Sequence, residues 1–151
     1  MFDLVRFSLK SADIQEGTGF SRIVSLQDTP GLVAEVSDYA HALTRKEPLA
    51  YCSSYSLNAG ALVLFRQKGK YPVIALRDVI ETDSFRRAGA VARITYLAAS
   101  CSRLRLPYAL CTLASNPQGH RSAAECQLMA GLLGIEPKKA KLAMGLLGDL
   151  L

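Results

Sequence analysis

A change of hydrophobic period between residues 71 and 113 constrains the fold of this chain more than any other feature. Residues 71–82 are interpreted as a long strand, with Ile74, Leu76 and Ile80 on one face and Arg77 and Glu81 on the other. Residues 90–104 space apolar side chains by three or four, as a helix does. Pro107 then introduces the apolar run 108–113, which is too short for a helix. A strand, a helix and a strand in this order predict a right-handed crossover and a parallel strand pair.

Six further elements are predicted around this βαβ unit. The segments 49–56, 61–67 and 71–82 are separated by turn-forming residues, so they are interpreted as three strands of an antiparallel meander. We therefore expect one α/β domain over residues 1–151, with a mixed sheet in which the meander precedes the βαβ unit and helices cover both faces. The six elements are a strand at 4–9, a helix at 29–43, strands at 49–56 and 61–67, and helices at 122–134 and 138–147.

The composition is that of a chain that folds around one apolar core. Half of the 151 residues are hydrophobic and 21% are charged, with no stretch near the ~20 apolar residues that span a bilayer. The first residues lack the basic and apolar regions of a signal peptide, so a cytoplasmic location without membrane contact is expected. Four cysteines and two histidines show no zinc-type spacing, which predicts buried reduced thiols and no metal site.

The net charge of +5 favours anionic partners, since 18 basic residues stand against 13 acidic ones. Basic clusters brought onto one face would bind phosphate backbones, although no known DNA- or RNA-binding motif is present. The chain is therefore also a candidate for a non-catalytic domain that binds nucleic acid or another protein. The clusters are Arg45-Lys46, Arg66–Lys70, Arg86-Arg87, Arg103–Arg105 and Lys138–Lys141.

The junction at residues 81–93 is the segment that most suggests a ligand. If it is a turn opening into the helix at 90–104, its free backbone N–H groups form an anion site, and the small residues around Gly89 let a phosphate approach. Arg86 and Arg87 would add charge and phosphate contacts. The alternative is an ordinary strand-to-helix turn with surface arginines.

The segment Arg86–Val91 resembles the pyrophosphate loop, Q/R-x-x-G-x-G/A, of the GCN5-related N-acetyltransferase (GNAT) superfamily. Val91 replaces the small residue at the end of the pattern. The segment Leu132–Ile135 is similar to the common L-G-F ending of that superfamily, and Asn116 is similar to an asparagine often found after the next strand. The resemblance covers residues 49–135, but no tyrosine precedes Leu132, where the superfamily commonly keeps its general acid.

This resemblance implies a GNAT-like fold and direct transfer of an acyl group to an amine of a small molecule, protein or nucleic acid. Acetyl-CoA or another acyl-CoA would be the cofactor, and a carboxylate near the strand end would accept the proton of the amine. Glu81 ranks first because it is nearest the expected mouth of the site, while Asp78 is alternatively a core carboxylate paired with an arginine. A homodimer would explain the apolar segment 146–151. The candidate residues are Glu81, Asp78 and Asp83 for catalysis, and Arg86, Arg87, Ala88, Gly89, Ala90, Val91 and Asn116 for the cofactor.

Overall fold

A computed structural model describes residues 1–8, 17–56 and 58–151 of the chain. Six strands and six α-helices are present in this part of the chain, and from residue 33 to residue 111 one or two helices separate each strand from the next. They are β1 (Phe2–Val5), β2 (Arg22–Ser25), β3 (Val33–Glu35), α1 (Tyr39–Ala42), β4 (Leu49–Tyr51), α2 (Ala59–Lys68), β5 (Tyr71–Ala75), α3 (Arg77–Ile80), α4 (Ser84–Leu104), β6 (Ala109–Cys111), α5 (Ala123–Leu132) and α6 (Pro137–Leu150).

Every strand pairing described is parallel. β3, β4, β5 and β6 form one sheet in that order, and β1 pairs with β2. Two backbone hydrogen bonds join these sheets: the amide of Leu113 donates to Leu4 (2.8 Å), and the amide of Arg6 donates to Ala114 (2.9 Å). The first strand therefore lies beside the segment that follows the sixth, and the helices connect neighbouring strands as right-handed crossovers do.

The α/β class and the strand–helix–strand order at residues 71–113 are confirmed, but the antiparallel meander is wrong. The strands predicted at 49–56 and 71–82 end at Tyr51 and Ala75, and residues 77–80 form α3 instead. The segment predicted as a strand at 61–67 is the helix α2. Asn58 caps this helix through its side chain, and Leu62 and Phe65 are fully buried while Val63 and Leu64 are about 40% exposed. A short apolar run is compatible with either element, and here the parallel pairing of β4 with β5 requires a crossover rather than a hairpin.

The helix predicted at residues 29–43 is also wrong over most of its length. Val33 and Ala34 belong to β3, where they lie opposite Leu49 and Ala50 of β4. Only Tyr39–Ala42 is helical, because Asp38 accepts hydrogen bonds from two backbone amides and fixes the helix start there. Residue 9, the predicted end of the first strand, lies outside the described residues.

The C-terminal third follows the sequence prediction closely. Ser122 and Glu125 form the expected capping box at the start of α5. α6 packs on β1, β6 and α5, and it buries Met144 and Leu147. The apolar C-terminus is therefore covered largely by the core of its own chain, while a homodimer stays a prediction.

The structure bears on two expectations from the composition, one about membrane-spanning helices and one about the cysteines. Among the described residues, no helix combines the length and apolar character needed to cross a membrane. All four cysteines are buried as free thiols, and burial raises the pKa of Cys101 to about 12. A thiol with so high a pKa is a poor nucleophile at neutral pH.

Candidate nucleic-acid interface

Asp78 lies at the carboxyl edge of the sheet, where the parallel strands end, and its oxygens are occupied. β5 stops at Ala75, and α3 then turns Asp78 back toward β4. The Tyr51 hydroxyl donates to the carboxylate at 2.8 Å, and the Tyr55 hydroxyl donates to it at 2.7 Å. Burial, followed by the charge of Asp78, raises the pKa of Tyr51 to about 12, so both phenols stay protonated donors.

Two arginines complete this cluster. The Arg77 guanidinium lies 3.5 Å from the Asp78 carboxylate and donates to Tyr51 (3.3 Å) and to Ser115 (3.2 Å). Arg6 forms an ion pair with Glu35, and burial followed by the charge of Arg77 lowers the pKa of Arg6. Both guanidinium groups lie within 6 Å of the centre of the Tyr51 ring. These four charged groups are thus paired, Arg77 with Asp78 and Arg6 with Glu35.

The other two predicted catalytic carboxylates accept hydrogen bonds from backbone amides. Glu81 follows α3 and accepts a hydrogen bond from the Ser115 amide at 3.1 Å. Asp83 is the N-cap of α4 and accepts from the Arg86 amide at 2.9 Å. Asn116 caps the short 3-10 turn at residues 117–119 in the same way. These contacts position loops at the carboxyl edge of the sheet.

The predicted pyrophosphate loop is absent, because residues 86–91 lie inside α4. The helix begins at Ser84 rather than near residue 90, and the Arg87 amide bonds to the carbonyl of Asp83. The amides of residues 88–91 are then engaged in the helix and are not free to cradle an anion. The helix start was predicted too late because Gly89 suggests a turn, whereas a helix tolerates one glycine at a cost of about 1 kcal/mol.

Three of the five basic clusters meet at the opposite, amino edge of the sheet. The segments 45–46, 66–70 and 103–105 directly precede β4, β5 and β6, and parallel strands begin at the same edge. We call the exposed members of these clusters the amino-edge basic surface. They are Arg45, Lys46, Arg66, Lys68, Arg103 and Arg105.

Hydrogen bonds hold these segments together. Lys70 is buried, and its ammonium donates to the carbonyls of Arg45 (2.7 Å) and Glu47 (2.8 Å). Lys68 donates to the carbonyl of Leu43 at 3.3 Å, which ties α2 to the loop before β4. Desolvation lowers the pKa of Lys70, which is consistent with a structural role for this cation beneath the surface.

The end of α4 joins the same surface. Arg66 donates to the carbonyl of Leu104 at 3.4 Å, so the third cluster lies beside the second. Arg105 ends α4 in the left-handed region (φ 51°) and, with Lys139, lines a neighbouring apolar cleft of about 410 Å³. The ion pair of Arg45 with Glu47, at 3.5 Å, offsets only a small part of this positive charge.

The sequence contained the signal for this surface. Each of the three clusters stands immediately before a segment that was predicted as a strand. In the predicted meander, the strands at 49–56 and 71–82 are alternate strands that run in the same direction, and 108–113 is parallel to the second of them, so the predicted topology also begins all three at one edge. The parallel sheet of the structure keeps these three strand starts at one edge and makes the strands neighbours.

Comparisons with known proteins bear on the fold alone. No protein-family model matches the sequence, and no curated protein is detectably similar to it. The fold is similar to that of a chain in the cryo-EM structure of archaeal ribonuclease P with mature tRNA. The TM-score is 0.72 at 12% sequence identity, over 99% of this chain and 79% of that chain.

This similarity corrects the assignment to the acyltransferases. It points away from a transferase of the GNAT type, and the parallel sheet and the helical segment 86–91 lack the elements on which that assignment depended. Binding of acetyl-CoA or another acyl-CoA is tested by neither observation and stays a prediction.

Proposed function

We propose that this chain is a non-catalytic RNA-binding protein that holds a phosphate backbone on its amino-edge basic surface. The observation that carries the proposal is the fold shared, over nearly the whole chain, with a protein chain of a ribonuclease P complex that contains tRNA. The convergence of three basic clusters at one sheet edge supplies the surface for such a partner.

The chemistry of this surface suits phosphates. Arginine and lysine side chains bind backbone phosphates and release condensed counterions, which gives affinity without reading a sequence. Lys46 precedes β4, whereas Arg103 and Arg105 lie at the end of α4 before β6, so these three exposed cations flank the start of β5 at the same edge. A surface of this kind fits a partner with regularly spaced negative charge.

The absence of catalysis is proposed from the state of the reactive groups. Asp78 is held by two phenols and Arg77, and Glu81 accepts from a backbone amide. The thiols of Cys101, Cys111 and Cys126 have pKa values raised by burial. A reaction would have to break the contacts of the two carboxylates. The thiols are poor nucleophiles at neutral pH because their pKa values are raised.

The proposal is tested by fluorescence anisotropy with a blunt RNA duplex of about eight base pairs. We expect log Kd to rise linearly with log salt between about 50 and about 200 mM KCl. Lys46→Gln/Arg103→Gln should weaken binding at low salt and reduce the salt slope by about 2. The control is Arg87→Gln, an exposed arginine at the other end of α4, which should leave duplex binding unchanged.

Two outcomes contradict the proposal. Absence of duplex binding at low salt overturns RNA binding. Equal weakening by Lys46→Gln/Arg103→Gln and by Arg87→Gln overturns the assignment to the amino edge. A calorimetric titration with acetyl-CoA is run beside the RNA. Saturable acetyl-CoA binding by a protein that does not bind RNA would favour the earlier cofactor prediction instead.

A further inference from the structure

Phe85 is the most exposed large apolar side chain of the described residues, at 90%. It lies in the first turn of α4 and lines a shallow depression that also includes Arg86 and Arg93. The Arg93 guanidinium folds back along the helix to Gly89, where a Cβ would lie 3.4 Å from it. We call Phe85, Arg86, Gly89 and Arg93 the Phe85 patch.

Packing of the described residues does not explain why position 85 has an aromatic side chain. α4 packs on the sheet through Ala90, Ile94, Leu97 and Cys101, which share one helix face. Phe85 buries almost no surface in the chain, so it contributes little hydrophobic stabilisation to folding. The Arg86 side chain is 80% exposed, and its nearest acid, Asp83, is 3.7 Å away. An exposed ring beside two exposed cations is therefore available to a partner.

We propose that the Phe85 patch binds an unpaired nucleotide of RNA, with the base stacked on Phe85 and the adjoining phosphates on Arg86 and Arg93. Every nucleobase has a face that stacks on an aromatic ring, and guanidinium groups bind phosphate oxygens. Gly89 leaves the depression open, since it has no side chain to fill it. The two arginines beside the ring match the charge of a nucleotide better than that of an apolar protein surface.

This inference rests on the proposed function and adds a second, separate contact to it. Phe85 and Arg105 lie at opposite ends of α4, about 30 Å apart at about 1.5 Å per residue. A blunt duplex of about eight base pairs held at the amino edge is too short to cover both places. A single-stranded extension from that duplex would reach the patch, so the two contacts can be measured with different probes.

The direct test uses Phe85→Trp, because the chain contains no tryptophan and the new indole is then the only one. We expect a single-stranded RNA of about ten nucleotides to quench its fluorescence, with the same Kd as anisotropy reports, as stacking requires. Binding detected by anisotropy without any change in the indole fluorescence would overturn the proposal.

Affinity provides the second test. Phe85→Ala should weaken single-stranded RNA binding roughly ten- to a hundredfold, the loss expected for one stacked base, and leave the blunt duplex unaffected. Leu132→Ala is the matched control, since Leu132 is 85% exposed on α5. An unchanged thermal midpoint establishes that the Phe85 variant is folded.

The remaining outcomes separate the two proposals. If no RNA binds, the proposed function fails; if the duplex binds and Phe85→Ala has no effect on single strands, only this inference fails. Equal losses for Phe85→Ala and Leu132→Ala also overturn it. Self-association removed by Phe85→Ala in sedimentation, with RNA binding unchanged, would assign the patch to a second copy of the chain.

Discussion

The phenols of Tyr51 and Tyr55 donate to Asp78, and this network persists only while both phenols keep their protons. Burial is the main cause that raises both pKa values, and the Asp78 charge is the next. An unfolded tyrosine has a pKa of about 10. Between that value and about 12 for Tyr51, the folded chain binds more protons than the unfolded chain, so the free energy of unfolding falls as pH rises.

Tyr51→Phe should therefore flatten the alkaline loss of stability. It removes one group whose folded pKa is raised, although it also removes a hydrogen bond and lowers stability near pH 7 by about 1 kcal/mol. Urea unfolding at a series of pH values from about 8 to about 11 gives the slope. Tyr96→Phe, at a tyrosine that is 60% exposed, controls for loss of a phenol. A slope equal to that of the parent chain would contradict the prediction.

At the scale of an element, α6 contains two glycines in different surroundings. A Cβ at Gly145 meets no atom within 4 Å, whereas a Cβ at Gly148 would overlap the ring of Phe2 from β1. Alanine is better than glycine in a helix by about 1 kcal/mol, while overpacking costs about 1–3 kcal/mol.

Gly145→Ala should raise the free energy of unfolding by about 0.5–1 kcal/mol, and Gly148→Ala should lower it by about 1 kcal/mol. Each variant is the control for the other, because both replace a glycine of α6 with alanine. Thermal and urea unfolding measure both. Equal stabilisation by the two alanines would show that Phe2 does not hold its position against α6.

The elements also show which parts of the fold the sequence predicts. The capping box of Ser122 and Glu125 is local chemistry, and the predicted start of α5 is correct. The segment 61–67 was predicted wrongly because an apolar run of that length suits a strand or a helix equally. That one error made part of the sheet antiparallel, although the strands that follow the three basic clusters begin at one edge in either topology. The role of Asp78 was open from sequence, since its partners Tyr51 and Tyr55 are more than 20 residues away.

At the scale of the whole molecule, Asp3 ties the first strand to the segment after the sixth. Its fully buried carboxylate accepts from the backbone amide (2.7 Å) and the hydroxyl (2.6 Å) of Thr112, 109 positions away. His120 approaches the same carboxylate at 3.0 Å. The sequence gives no local sign of this contact, because its members are so far apart in the chain.

Asp3→Ala should lower the free energy of unfolding by about 3 kcal/mol, since it leaves the buried amide and hydroxyl of Thr112 without their acceptor. Asp28→Ala removes an exposed carboxylate and should change stability by less than about 0.5 kcal/mol. Urea unfolding of the two variants is the comparison. A loss no larger for Asp3 than for Asp28 would mean that the contact across the two sheets adds no stability.

The pairing of β1 with Leu113 and Ala114 has a consequence for synthesis of the chain on the ribosome. β2 follows within about twenty residues, but the partner on the other side of β1 is made more than a hundred residues later. At about 5–20 residues per second, β1 waits for roughly 5–20 s with one edge unpaired. An unpaired strand edge is a template for association with other chains. The nascent chain therefore passes through an interval in which its first strand needs protection, and that interval ends when residue 114 leaves the exit tunnel.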